Sequence, residues 1–270
     1  MNAIPSFFAP PVPLLKVSGL SHRFEGASDG RYALREASFE LYPGEVLAIV
    51  GESGSGKSTL LNCLAGRLMP SAGELLYLDA EQRWRDVLAL SERERRVLAR
   101  TEWGFVEQHA AEGLRMDVSA GANIVERLMG QGQRHYGQLR ETALQWMRRV
   151  ELDASRADDA PRAFSGGMRQ RLQIARNLVT HPRLVLMDEP TSGLDVSVQA
   201  RLLDLIRLLS SRLQLSAIIV THDLGVARLL AQRTLVMREG RIVEHGLTDR
   251  VLDDPQHPYT QLLVSSMVAP

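Results

Sequence analysis

The segment GESGSGKST at residues 51–59 carries glycines, a lysine and hydroxyl side chains at a spacing that could bind phosphate. Its first eight residues match the pattern G-x-x-x-x-G-K-[S/T], between a predicted strand and a predicted helix. Such glycines let consecutive backbone N–H groups surround phosphate oxygens, and the helix N-terminus adds partial positive charge. The lysine would neutralise the outer phosphates, and the serine after it would bind Mg²⁺. A Gly/Ser-rich turn that binds nothing is the alternative, which the strand–loop–helix order disfavours. The predicted residues of this phosphate loop are Gly51, Glu52, Ser53, Gly54, Ser55, Gly56, Lys57, Ser58 and Thr59.

Two acids follow an apolar run in LVLMDEP, residues 184–190. The run predicts a buried strand that ends at Asp188 and Glu189. Asp188 would lie beside the magnesium through water, as acids at this position do in phosphoryl transfer. Glu189 could polarise an attacking water. The alternative is that both acids are solvated loop residues, and the phosphate loop elsewhere in the chain makes that alternative the weaker one.

A second anion-binding turn is indicated by SGGMRQR, residues 165–171, where small residues open a predicted helix. The phosphate loop already provides the binding site for one nucleotide. The second turn therefore suggests that the chain works as a pair, each copy offering its turn to the nucleotide of the other. An ordinary glycine-rich helix cap is the bland alternative.

Composition limits the partners and the environment. The 270 residues are 44% hydrophobic and carry 32 basic and 32 acidic side chains, so no overall charge draws the chain to nucleic acid or anionic lipid. Cys63 is the single cysteine, which excludes an internal disulfide and predicts a small core residue. The longest proline-free apolar run is Val46–Val50, far short of a membrane span of about 20 residues. We expect a cytoplasmic chain with no nucleic-acid partner and no membrane span.

The order of elements predicts an α/β fold with a largely parallel sheet covered by helices on both faces. Residues 15–20 and 37–41 predict antiparallel strands joined by a loop at 26–31, and residues 1–13 predict a flexible proline-rich tail. Residues 81–159 show helical patterns and few strand signals, which predicts a helical insertion. A hairpin is expected with its turn at Glu239-Gly240, and a helix is expected after the prolines of DPQHPYTQLLVSS.

The chain resembles the ATP-binding cassette (ABC) ATPase family through the ordered motifs phosphate loop, Gln108, FSGGMRQR, LVLMDEPTSGLD and IIVTHD. The resemblance spans nearly the whole chain. It implies one ABC nucleotide-binding domain at residues 14–270, built on a P-loop NTPase core. Residues 14–80 and 166–270 would form an antiparallel β-subdomain and a RecA-like core, and residues 81–165 a helical subdomain. Phe164 and Met168 depart from the common LSGGQ signature but leave its SGG intact.

This resemblance also implies ATP and Mg²⁺ as cofactors and assigns roles to individual residues. The implied residues are Phe24 or Tyr32 stacking on adenine, with Phe24 favoured; Gln108 sensing magnesium and water; Ser165, Gly166 and Gly167 gripping the γ-phosphate across a homodimer; Glu189 as general base; Asp195 connecting the two sites; and His222 as the switch on the γ-phosphate. Lys57 completes the implied catalytic set, and Ser58, Gln108 and Asp188 would hold the metal.

Within the family, the chain is similar to ATPases of oligopeptide and nickel importers, and more so to ATP-binding proteins of bacterial carbon–phosphorus lyase systems. RTEWG, EGLR, VSAGANIVERLM and RHYG carry the second resemblance. It implies that two copies act on a multisubunit lyase core through residues 100–115 and the helical insertion. An importer ATPase on a membrane permease, and a non-hydrolysing ATP-gated scaffold, are the alternatives. Glu189 and His222 argue against the scaffold. For residues 100–115, a plain connector is the alternative.

Overall fold

The computed structural model describes residues 11–24 and 32–268. The predicted loop at 26–31 and residues 1–10 of the predicted tail lie outside this description. The ten strands are β1 (Leu15–His22), β2 (Leu34–Leu41), β3 (Val46–Val50), β4 (Ala72–Leu78), β5 (Trp84–Asp86), β6 (Trp103–Val106), β7 (Leu184–Asp188), β8 (Ser216–Thr221), β9 (Arg233–Arg238) and β10 (Arg241–Leu247) in the described ranges. The helices there are α1 (Lys57–Leu64), α2 (Glu92–Thr101), α3 (Ala110–Gly113), α4 (Ala120–Gly130), α5 (Tyr136–Arg149), α6 (Gly166–Leu178), α7 (Val196–Leu213), α8 (Leu224–Leu230), α9 (Thr248–Asp253) and α10 (Pro258–Val268).

Two sheets organise these elements, as the sequence predicted. The larger sheet has the strand order β10-β9-β3-β8-β7-β6 and is parallel except for the β9–β10 hairpin. The smaller sheet, β2-β1-β4-β5, is antiparallel throughout. Because parallel strands point the same way, the loops after β3, β6, β7 and β8 leave the sheet at one edge, where α/β proteins bind ligands.

Alternating residues of the central strands face two separate cores. On β3, Val46, Ala48 and Val50 belong to one hydrophobic cluster and Leu47 and Ile49 to the other. The first cluster takes in the helices α4 to α8, while the second takes in α1 and the antiparallel sheet. A strand covered on both faces is apolar at every position, which is why these segments show continuous apolar runs.

The expected scarcity of strands in residues 81–159 was wrong at two places. β5 extends the antiparallel sheet, and β6 is the edge strand of the central sheet, with Trp103 opposite Leu184 and Val106 opposite Met187. A four-residue run is too short to show a period, and only its pairing with the distant β7 makes it a strand. The helices expected in this region are present as α2, α4 and α5. The division into subdomains at residues 81 and 165 stays a prediction.

The C-terminal elements agree with the predicted pattern. Glu239 and Gly240 both have positive φ, 49° and 78°, as a two-residue hairpin turn of type I′ requires. Pro258 is the first residue of α10, where its missing N–H is not needed. Across residues 11–24 and 32–268, no helix has the length and apolar character needed to cross a bilayer.

Candidate active site

The phosphate loop connects β3 to α1 and is held tightly by its neighbours. At Gly56, φ is +100° and a Cβ would stand 2.4 Å from the carbonyl oxygen of Ala33. At Gly51, a Cβ would stand 2.2 Å from the carbonyl oxygen of Met237 on β9. Neither position can accept a side chain without moving backbone. The Gly240 N–H also donates to Ser55 O at 2.9 Å, so the β9–β10 hairpin supports the loop directly.

Lys57 lies at the base of this loop and is buried. Its Nζ donates to the carbonyl oxygens of Gly51 at 2.8 Å and Glu52 at 2.7 Å. Burial lowers the pKa of Lys57, and the negative charges of Glu189, Asp188 and Glu52 oppose that effect. The Ser55 hydroxyl also accepts from Nζ, at 3.5 Å, and a buried ammonium held by neutral acceptors is poorly compensated. It is therefore poised to exchange these partners for phosphate oxygens.

Ser58 and Asp188, predicted as metal ligands, meet across the sheet edge. Ser58 Oγ donates to Asp188 Oδ1 at 3.2 Å, although 130 residues separate them. Burial raises the pKa of Asp188; the Ser58 hydrogen bond and the Lys57 charge lower it, while Glu189 and Glu107 raise it further. A hydroxyl and a carboxylate are hard oxygen donors of the kind that Mg²⁺ prefers. The pair therefore fits magnesium, which would neutralise phosphate charge there.

Glu189 stands between two of the other predicted catalytic side chains, Gln108 and His222. Its Oε1 lies 3.1 Å from His222 Nδ1, and its Oε2 accepts from Gln108 Nε2 at 3.4 Å. Glu189 has φ +40°, a strained value for a residue with a Cβ, and its N–H donates to Val220 O at 2.9 Å. The strain is consistent with a side chain held for function. Ser192 was missed by the sequence analysis; its Oγ accepts from Gln108 Nε2 at 3.3 Å.

A cavity of about 790 Å³ opens over the phosphate loop, within the size range of small-molecule sites. Besides the loop, the described residues that line it are Phe24, Ala33, Gln108, Glu189, His222 and Leu263. Tyr32 is not among its lining residues, and the guanidinium of Arg23 covers the Tyr32 ring at 3.8 Å from the ring centroid. This geometry favours Phe24 over Tyr32 as the adenine contact.

The turn at Ser165, Gly166 and Gly167 begins α6 and lies in a different cavity, of about 380 Å³. The Ser165 hydroxyl caps the helix by accepting from Met168 N at 3.3 Å. Among the residues that the structure describes, none lines both cavities. Ser165 and Gly166 are exposed, as is Asp195, whose side chain makes no cap hydrogen bond to α7. The second turn and Asp195 are thus not brought to the phosphate loop of the same chain.

Known proteins resemble this chain in sequence over most of its length. The model of the ABC transporter family matches residues 34–192, more than half of the chain. The putative phosphonates utilization ATP-binding protein PhnK of Escherichia coli (strain K12) is 62% identical over 95% of this chain and 98% of its own. The oligopeptide transport ATP-binding protein OppD of Bacillus subtilis (strain 168) is 37% identical over 94% of this chain and 72% of its own.

A solved dimer of the ATP-binding cassette MJ0796, in a post-hydrolysis state bound to ADP and Pi, has the same architecture. It has a TM-score of 0.77 at 29% identity, covering 87% of this chain and 98% of that chain. The predicted family and fold are confirmed. The chain belongs to the ABC transporter family as an ATP-binding, ATP-hydrolysing cassette.

Proposed function

We propose that this ATPase acts in phosphonate catabolism, in the cytoplasm, as the subunit that couples ATP hydrolysis to conformational change of a carbon–phosphorus lyase core complex. The observation that carries the proposal is the 62% identity to PhnK over nearly all of both chains. The dipeptide transport ATP-binding protein DppF of Escherichia coli (strain K12) and OppD are only 41% and 37% identical. The importer function is therefore the second candidate.

A homodimer that encloses two ATP is supported by the separation of the two anion-binding turns. In one chain, the cavity over the phosphate loop and the cavity at Ser165 have no residue in common within the described ranges. Ser165, Gly166 and Asp195 are exposed, and Val196 beside them is 85% exposed. A second copy placed on this surface would bring its own phosphate loop to Ser165, Gly166 and Gly167. The solved MJ0796 cassette is a dimer.

The proposed chemistry uses the contacts around Glu189. Its carboxylate would take a proton from the water that attacks the γ-phosphate. Gln108 would orient that water, since its amide already lies beside the carboxylate. Lys57 would leave its loop carbonyls for the phosphates, and His222, 63% exposed, would turn from Glu189 to the γ-phosphate. Ser58, Asp188 and Gln108 would hold Mg²⁺, which neutralises charge on the phosphates.

The proposed partner surface is a cleft of about 470 Å³ beside β6, which we call the arginine cleft. Its charged lining residues are Arg67, Arg100, Arg127, Arg176, Glu107, Glu112 and Glu126. Arg127 donates to the carbonyl oxygens of Ala99 and Trp103 and to the Asn177 amide oxygen. Within residues 11–24 and 32–268, the Arg127 guanidinium forms no ion pair. Its burial, together with the positive charge of Arg176, lowers the pKa of Arg127 to about 10. An acidic side chain of a partner would compensate this charge.

The arginine cleft is also connected to the catalytic residues. Arg67 pairs with Glu107 at 2.7 Å, and Glu107 immediately precedes Gln108. Occupation of the cleft would therefore bear on the residue that contacts Glu189. This supports a coupling role for residues 100–115 over a plain connector.

The test is a pull-down with tagged Glu189→Gln in the presence of ATP and Mg²⁺. Loss of the general base should lower turnover by about 10²–10⁴ and hold the closed dimer on its partner. Lys57→Ala, which should not bind ATP tightly, is the matched control. Recovery of lyase subunits by Glu189→Gln but not by Lys57→Ala would support the proposal. Recovery of an integral membrane permease would replace it with the importer function. Unchanged turnover would mean that Glu189 is not the base.

A further inference from the structure

The C-terminal helix reaches the nucleotide site through one hydrogen bond that crosses the chain. Tyr259, in the first turn of α10, accepts at its hydroxyl a hydrogen bond from the backbone N–H of Glu52 at 3.0 Å. Glu52 is the second residue of the phosphate loop, 207 residues away. Leu263, one turn further along α10, lines the cavity over the phosphate loop. We infer that Tyr259 is a positioning residue for ATP binding, which fixes the peptide between Gly51 and Glu52.

Both sides of that peptide are held by side chains. Lys57 Nζ donates to the carbonyl oxygen of Gly51 at 2.8 Å, and Tyr259 holds the N–H of Glu52. When Lys57 turns to phosphate, its hold on the Gly51 carbonyl is lost. The Tyr259 hydroxyl then remains the side-chain contact that keeps this peptide plane in place. Tyr259 does not line the cavity over the phosphate loop, so its role is to keep the loop in its binding conformation.

Tyr259 is itself rigidly placed. Its ring is buried, with 4% exposed, and the Arg238 guanidinium lies 5.0 Å from the ring centroid. The turn before it is anchored to β10 by the Glu244 carboxylate, which accepts from the N–H groups of Gln256 at 2.8 Å and His257 at 3.0 Å. The His257 ring in turn accepts from Tyr259 N at 3.1 Å. A chain of contacts thus runs from β10 through α10 to the phosphate loop.

The expected effect is on ATP affinity rather than on the chemical step. Without the hydroxyl, the Gly51–Glu52 peptide can adopt other orientations in the nucleotide-free chain, and apparent affinity falls with the fraction of competent loop. The net strength of one neutral hydrogen bond limits the loss to about three- to tenfold. Glu189 and its partners are untouched, so turnover at saturating ATP should stay the same.

The test is Tyr259→Phe, which keeps the buried ring and removes only the hydroxyl. KM for ATP should rise about three- to tenfold with kcat within about twofold. The Glu52 amide should exchange with deuterium faster by a similar factor. Tyr42→Phe is the matched control, because the Tyr42 hydroxyl donates to Glu40 and not to the loop; it should change neither quantity.

A second variant, Glu244→Gln, tests the anchor. It should raise KM for ATP in the same direction by a smaller factor, since it weakens the hold on Gln256 and His257. A Tyr259→Phe chain with unchanged KM and unchanged Glu52 exchange would overturn the inference. So would a fall in kcat and unfolding temperature with KM unaltered, because that pattern belongs to a general stabilising role.

Discussion

The two glycines that open α6 provide a test that separates folding from function. A Cβ at Gly167 would stand 2.4 Å from Val198 Cγ1 on α7, far inside the contact distance of about 3.5–4.0 Å. A Cβ at Gly166 would meet only Leu194 Cδ2, at 3.5 Å, which is an ordinary contact. The same substitution should therefore destabilise the chain at Gly167 and not at Gly166.

Gly167→Ala should destabilise the chain by roughly 1–2 kcal/mol. Overpacking costs about 1–3 kcal/mol, and the better helix propensity of alanine returns up to about 1 kcal/mol. At about 2–4 °C per kcal/mol for a chain near this size, the unfolding temperature should fall by about 2–8 °C. Gly166→Ala should leave it unchanged or raise it. Urea unfolding and calorimetry measure both.

Shortening the Val198 side chain should restore stability to the Gly167→Ala variant. Val198→Ala deletes the Cγ1 atom and leaves the Val198 Cβ at 3.8 Å from the new methyl group. The double variant should recover most of the lost stability, apart from about 0.5–1.5 kcal/mol for the truncated side chain. Equal stability of Gly167→Ala and the parent, or no recovery in the double variant, would refute this account of α6–α7 packing.

Gly166→Ala, which should not destabilise the chain, should nevertheless lower its ATPase activity. Gly166 is exposed, and we propose that it faces the nucleotide of the second copy. A methyl group there would lower ATPase activity by roughly 5- to 150-fold if it crowds the phosphate by about 1–3 kcal/mol. Full activity in a stable Gly166→Ala chain would contradict the proposed dimer.

Three further outcomes are expected. Because burial raises the pKa of Asp188, its ionised form destabilises the fold. The penalty is absent well below pH 3.8, where the acid is protonated in both the folded and the unfolded chain; it grows as the pH rises above 3.8 and is complete above the raised pKa. The Asp188→Asn variant should therefore unfold in urea with a free energy about 0.5–2 kcal/mol higher than the parent at pH 7, and this difference should shrink toward pH 3.8. The variant should also lack magnesium-dependent ATPase activity. Equal stability of variant and parent at pH 7 would argue against a buried charge at Asp188. Phe24→Ala should weaken ATP binding in calorimetry by about tenfold and Tyr32→Ala by little; the reverse order would reassign the adenine contact. Burial raises the pKa of Cys63 to about 12, so iodoacetamide at pH 8 should label it only after urea unfolds the chain, as seen by mass spectrometry; labelling of the folded chain would count against a buried thiol.

Local patterns determined much of this protein. The spacing of residues 51–58 required a strand, a glycine loop and a helix, and the structure places β3, the loop and α1 there in that order. An apolar run predicted β7, and the helical patterns of residues 81–159 predicted α2, α4 and α5. These features depend on neighbours a few residues apart, so one segment of sequence contains the whole signal.

Only the tertiary structure decided which side chains meet. It placed β6 in the central sheet, although four residues carry no periodicity, and paired Ser58 with Asp188 across 130 residues. It set Glu189 between Gln108 and His222, and it laid Tyr259 on Glu52 across 207 residues. Such contacts depend on strand order and on the packing of helices over both faces of the sheet. That arrangement exists only when the whole chain has folded around its two hydrophobic cores, so no single segment of sequence can encode these contacts.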